Sequence, residues 1–145
     1  MAKIEFSTDV NRPVEEVFAY ITDPANLPEW QGGAIEGRLE ESGPVATGSR
    51  MVEVRKFLGK RVESTLEVTQ YEPNRRFAFR VVSGPVQFQV DHEFEPANGG
   101  TRIHVVGDGE PGGFFRLAEG FVMKAVERES KKDFASLKRI LEERG

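Results

Sequence analysis

From Ala34 to about Gly107 the chain repeats one pattern: short runs in which apolar and polar residues alternate, each closed by a turn. Alternation with period two places one strand face in a core and the other in water. Residues 50–55, 62–68, 77–81, 86–94 and 101–105 all carry it. Leu58-Gly59, Glu72-Pro73-Asn74, Ser83-Gly84-Pro85 and Pro96-Ala97-Asn98-Gly99-Gly100 separate them with turn chemistry. Consecutive strands on such short connections predict an antiparallel meander. Past Gly113 the grammar changes. Phe114, Leu117, Phe121 and Ala125, then Phe134, Leu137 and Leu141, recur at helical spacing with no further proline. A helix over residues 113–142 is roughly 45 Å long, enough to cross a whole domain. A one-faced sheet and an amphipathic helix each need a partner, and the simplest solution wraps the sheet around the helix.

The opening of the chain adds smaller elements. Residues 4–10 alternate as a strand. Asn11, Pro13, Glu15 and Glu16 then supply a cap, a helix-starting proline and first-turn acids. Val14, Val17, Phe18 and Ile21 predict a short amphipathic helix that Asp23-Pro24 stops, and Pro24 to Trp30 reads as a second. The 145 residues correspond to one domain over residues 1–145. A net charge of −4 argues against nucleic acid as partner. Zero cysteines and two histidines leave no basis for a thiolate nucleophile, and no cofactor or metal is expected. No apolar run reaches the ~20 residues of a membrane span, so the expected address is the cytoplasm. Phenylalanine is the outlier: 11 Phe stand against one Trp and two Tyr. Phe brings apolar area without a polar handle, which points to a greasy interior.

Arg12-Pro13-Val14-Glu15-Glu16-Val17-Phe18, Asp23-Pro24 and Leu27-Pro28-Glu29-Trp30 resemble the polyketide cyclase/dehydrase branch of the START-like (SRPBCC) superfamily. Gly48-Ser49-Arg50 and Gly99-Gly100-Thr101 add to the resemblance, which extends over essentially the whole chain. It implies an α+β helix-grip fold: a curved antiparallel sheet wrapped around a long C-terminal helix, with two short helices after the first strand. It also implies a large apolar cavity between sheet and helix. Members bind lipids, sterols, polyketides or other hydrophobic molecules; some are cyclases or hydrolases and some are carriers. The family shares no universal catalytic residue to carry over.

Strand parity turns Val52, Val54, Ser64, Phe77, Phe79, Phe88 and His92 inward, and Phe121 and Ala125 join them from the long helix. Trp30, Phe77, Phe79, Phe88, Phe94 and Phe121 are the expected aromatic lining. Ser64, His92 and Ala125 complete the expected ligand-binding set. His92 is a candidate general base; the plainer reading is a half-buried strand-end histidine satisfied by a neighbour. Glu129 falls within the helical stripe and is a candidate acid; the plainer reading puts it at the rim, near Lys132. His104 has outward parity. The G-x-G-x-x-G formed by residues 107–112 lacks the returning strand of a dinucleotide site, and its two acids would repel a pyrophosphate. Residues 107–113 read instead as a flexible connection or gate. Arg55-Lys56-Phe57-Leu58-Gly59-Lys60-Arg61 reads as a charged hairpin tip that suits transient contact with an anionic membrane, without stable insertion.

The expected function is binding, and either transport or processing, of a hydrophobic small molecule such as a lipid or polyketide. One alternative is a cyclase/dehydratase-type enzyme using His92 or Glu129. Another is a protein-interaction module with a vestigial cavity. The expected assembly is a monomer or homodimer.

Overall fold

Pro13 starts the first helix: its carbonyl accepts the Glu16 and Val17 amides at 3.1 Å, and Glu15 and Glu16 place negative charge at the helix start. A computed structural model describes residues 2–57, 59–111 and 119–144. In chain order these form β1 (Ala2–Val10), α1 (Val14–Thr22), a 3₁₀ turn (Pro24–Asn26), α2 (Leu27–Trp30) and β2 (Ala34–Leu39). Next come β3 (Arg50–Phe57), β4 (Lys60–Glu72), β5 (Arg76–Ser83), β6 (Val86–Ala97), β7 (Gly100–Pro111) and α3 (Glu119–Arg144). Residues 113–118 of the expected long helix, with Phe114, Phe115 and Leu117, lie outside the described residues.

The strands form one seven-stranded sheet in the order β1-β7-β6-β5-β4-β3-β2, antiparallel throughout. Asn74 and Asn98 turn two of the hairpins with φ of 63° and 52°, a left-handed backbone that Asn tolerates better than most residues. Register shifts interrupt the pairing near Ala34, between Thr65 and Leu66, and between Val68 and Gln70. Such bulges bend a strand and raise its twist. Two of them fall in the 13-residue β4, so the middle of the sheet curves. The chain therefore adopts the helix-grip architecture.

The inner face and α3 make the core. Leu137 and Leu141 are fully buried, and Phe134 sets its ring edge-on against Phe6 at 5.4 Å and Trp30 at 5.0 Å. α1 seals the sheet beside the C-terminal half of α3, with Arg144 over the Tyr20 ring: Phe18 meets Phe94 at 5.1 Å and Tyr71 at 5.4 Å.

Two expectations are corrected. Gly107 to Pro111 are the end of β7, with Gly107 to Gly109 paired to both β1 and β6 and the last two residues paired to β6, so no flexible gate begins at Gly107. Gly109 is there for close approach, since a Cβ would lie 2.4 Å from the Gln87 carbonyl and 2.6 Å from Phe88 Cβ. The inward parity of β3 is also reversed. Glu53 stands opposite Ser64 and Arg55 opposite Val62, and directly opposed residues share a face. The charged pair therefore points inward, and Val52 and Val54 alternate to the other face, although Val52 still borders the cavity. Both valines are nonetheless buried, at 6% and 3% exposure, so apolarity marks both faces of this strand.

Because Leu137 is completely enclosed, Leu137→Ala is expected to cost about 3 kcal/mol. Lys131→Ala, on the exposed side of the same helix and paired with Glu127, should stay within ~0.5 kcal/mol. Urea unfolding of both variants checks this. Equal costs would show that α3 does not grip the sheet through this face.

Candidate functional site

Between α3, the α2–β2 connection and the inner face of the sheet lies a cavity of about 230 Å³. Phe77 and Phe79 from β5, Phe88 from β6 and Phe6 from β1 supply much of its wall. Trp30 and Phe134 close one side. The sequence reaches this arrangement by parity: residues 77 and 79, and 88 and 92, alternate onto one face of adjacent strands. Ser64 lines the cavity from β4, and His92 does so from β6.

Three expected lining residues sit elsewhere. Phe94 is buried against Phe18, outside the cavity wall, because α1 covers that end of the sheet. Ala125 is buried but is not part of the wall. Phe121 is 63% exposed and also absent from it. Met123, Val126, Ser130, Phe134, Leu137 and Leu141 form the inward stripe of α3; at about 100° per residue Phe121 falls on the opposite side.

His92 is buried, and its Nδ1 lies 3.0 Å from the Phe77 carbonyl. Burial lowers its pKa to about 4, outweighing the Phe77 carbonyl and Asp91, which both favour the charged form. The imidazole is therefore neutral near pH 7. A carbonyl only accepts, so Nδ1 carries the proton and Nε2 keeps a lone pair. The ring stacks between Phe77 and Phe94, with centroids at 5.9 Å and 6.3 Å. Glu129 is exposed at the cavity rim, beside Gly33. His104 is on the outer face, bonded to Ser7 Oγ and Glu5 at 2.8 Å each.

The structure adds a polar cluster that sequence reading missed. Glu53, 7% exposed, pairs with Arg55, whose guanidinium also reaches Gln31 Oε1. Asp133, also 7% exposed, accepts the Gly32 amide at 3.1 Å. Burial pushes the Asp133 carboxyl up to about 6, while the Gly32 amide and Arg55 pull it back and Glu129 adds to the rise. All four side chains line the cavity. One signal was available: Glu53 and Arg55 share parity and carry opposite charge, as a paired strand face does. Asp133 sits one residue before Phe134 on the inward stripe. Nothing local revealed Gly32 as its partner. Finally, the indole Nε1 of Trp30 is buried without a hydrogen-bond partner among the described residues.

A curved sheet gripping one long helix over a phenylalanine-walled cavity agrees with the family whose pattern matches residues 1–142, described as polyketide cyclase/dehydrase and lipid transport. The chain belongs to this family. Solved structures share the fold at low identity. The Zhui aromatase/cyclase of a Streptomyces species superposes with a TM-score of 0.84 at 16% identity, covering 99% of this chain and 94% of that one. A protein of Thermus thermophilus gives 0.82 at 18%, covering 95% of each chain. The di-domain aromatase/cyclase BexL gives 0.76 at 20%, covering 98% of this chain and 47% of that one. No curated protein matches the sequence. Among the described residues no helix is long and apolar enough to cross a membrane.

The two perturbed groups have opposite effects on acid stability. Between pH 6.5 and about 4 the unfolded chain protonates His92 and the folded protein does not. Stability from this group is present above 6.5 and lost as pH falls towards 4. Between pH 3.8 and about 6 the folded protein holds a proton on Asp133 that the unfolded chain releases. That contribution is present below 3.8 and lost as pH rises through 6. His92→Gln is therefore expected to reduce the loss of stability between pH 6.5 and 4 by more than ~1 kcal/mol, whereas Asp133→Asn should steepen it. Urea midpoints across this window check both signs. Identical pH profiles for parent and variants would rule out the buried environments described.

Proposed function

We propose that the protein binds a hydrophobic small molecule, of lipid or polyketide type, in the cavity between α3 and the sheet. The observation that carries this reading is the cavity wall itself. Phe6, Phe77, Phe79, Phe88 and Phe134 surround open space, where a solid core would interdigitate. A concave apolar site with a few convergent polar groups is the usual form of a small-molecule pocket. The polar groups here, Ser64, Glu53, Arg55, Gln31 and Asp133, supply orientation. Membership of a family described by polyketide processing and lipid transport supports the same reading.

A second reading has its own support. His92 presents a neutral imidazole to the cavity, and Asp133 a carboxyl raised to about 6, which are protonation states suited to moving a proton on a bound ligand. The fold shared with aromatase/cyclases is compatible with such chemistry. Glu129, exposed at the rim, is less suited than Asp133 to the role of buried acid.

Binding should therefore depend on cavity volume and little on His92. Phe88→Trp is expected to fill space and weaken binding of the neutral dye Nile red by about tenfold or more, with little loss of stability. His92→Gln should leave that affinity within about tenfold. Dye fluorescence and denaturation report the two effects separately. A parent protein that binds no apolar probe would end the binding reading in favour of an interaction module. An activity that disappears in His92→Gln while the ligand still binds would establish the enzyme.

A further inference from the structure

Ser64 on β4 and Glu53 on β3 are directly opposed, share the inward face, and both line the cavity. Each side chain belongs to a residue only 7% exposed. Glu53 offers Oε1 to the Arg55 guanidinium, and its Oε2 bonds to nothing among the described residues. The Ser64 hydroxyl has no partner there either. Neither oxygen is sealed in, since Trp30 Nε1 is the one enclosed side-chain atom without a partner among the described residues. An open atom on a buried, cavity-lining residue is open to the cavity. Gly84 helps to keep it so: a Cβ at that position would stand 2.7 Å from Ser64 Oγ and cap the hydroxyl from β5.

Val62 and Leu66 flank Ser64 on the same strand face, so the serine interrupts an apolar row. A buried hydroxyl that bonds to nothing loses hydration without return. Ser64 and Glu53 leave each other unbonded, and one ligand atom can satisfy both. A hydroxyl oxygen accepts the Ser64 proton and donates its own to Glu53 Oε2. Donation to a carboxylate is charge-assisted and is the stronger of the two bonds. A ketone or an ether brings no proton for Glu53. An ammonium group could donate to both oxygens, but the charge of Glu53 is already balanced by Arg55.

We propose that Glu53 and Ser64 together receive a single hydroxyl group, alcohol or phenol, on an otherwise apolar ligand. This inference rests on the cavity being the binding site. It adds the chemical group by which the occupant is oriented, and the two residues that select it.

Three probes on one ring system separate the contributions: fluoronaphthalene, naphthol and aminomethylnaphthalene, titrated calorimetrically near pH 7. Naphthol is expected to bind about tenfold tighter than fluoronaphthalene, which is similar in size and has no proton to donate. Aminomethylnaphthalene, a cation at this pH, should bind more weakly than naphthol. Ser64→Ala and Glu53→Gln should each reduce the naphthol-to-fluoronaphthalene affinity ratio from about ten to about two. Ser64→Ala should do so without lowering the urea midpoint, because the hydroxyl it removes bonds to nothing in the fold. Naphthol binding no better than fluoronaphthalene overturns the contact, as does an unchanged ratio in either variant. A cation that binds tighter than naphthol overturns the choice of hydroxyl. In each of these cases the bound probes leave the binding reading intact. Absence of binding by all three overturns that reading and this inference with it.

Discussion

The fold depends on where α3 presses into the sheet, and that contact is centred on Phe134. Its ring meets Phe6 from β1, Trp30 from α2 and His92 from β6, with centroids 5.4, 5.0 and 6.0 Å away. Three segments remote in sequence are fixed relative to one another through one side chain. Edge-on aromatic pairs favour defined geometries beyond simple area burial, so the crossing is specified and not merely greasy. One residue earlier, Asp133 ties the same turn of helix to the Gly32 amide. The apolar grip and the polar anchor are therefore neighbours on α3. The orientation of Trp30 follows from both.

Beyond that crossing, side-chain size along α3 separates packed core from open space. Leu141, Leu137 and Phe134 fill the end where α1 and β1 close the sheet. Towards the N-terminal half the inward positions are Ser130, Val126 and Met123, which are smaller or more adaptable. Phe77, Phe79 and Phe88 border the same cavity from the sheet. The hollow is thus a consequence of volume mismatch between two amphipathic surfaces that otherwise match in polarity.

Much of this was legible in the chain. Parity alone turns Ser64, Phe77, Phe79, Phe88 and His92 to one face, and the register of β4, β5 and β6 gives the same face. Parity fails on β3 because Val52 and Val54 are apolar on a face that is also buried, so hydrophobicity pointed the wrong way and hid Glu53 and Arg55. It fails for Phe121 for a different reason. A helical stripe extrapolated across about thirty residues accumulates angular error, and the aromatic side chain ended on the exposed side. Asp133 was illegible because its partner is a backbone amide a hundred residues away. Phe94 was read correctly as inward, yet α1 had covered that end of the sheet.

The misreadings of Glu53, Arg55 and Asp133 share a location. Sequence patterns describe surfaces that sort oil from water, and the polar end of the cavity violates that sorting by placing Glu53, Arg55 and Asp133 where apolar side chains would be stabler. Buried ion pairs often contribute little or negative net stability compared with hydrophobic replacements of similar volume. Glu53 and Arg55 therefore contribute little to the fold itself, while Asp133 anchors α3 to Gly32. Departures from local consistency are expected where a site must recognise something. Here those departures converge on the wall of one cavity, near an indole N–H without a hydrogen-bond partner among the described residues. The Glu53–Arg55 pair spends the positive charge that would otherwise attract an acid, and Asp133 keeps the helix against the Trp30 loop.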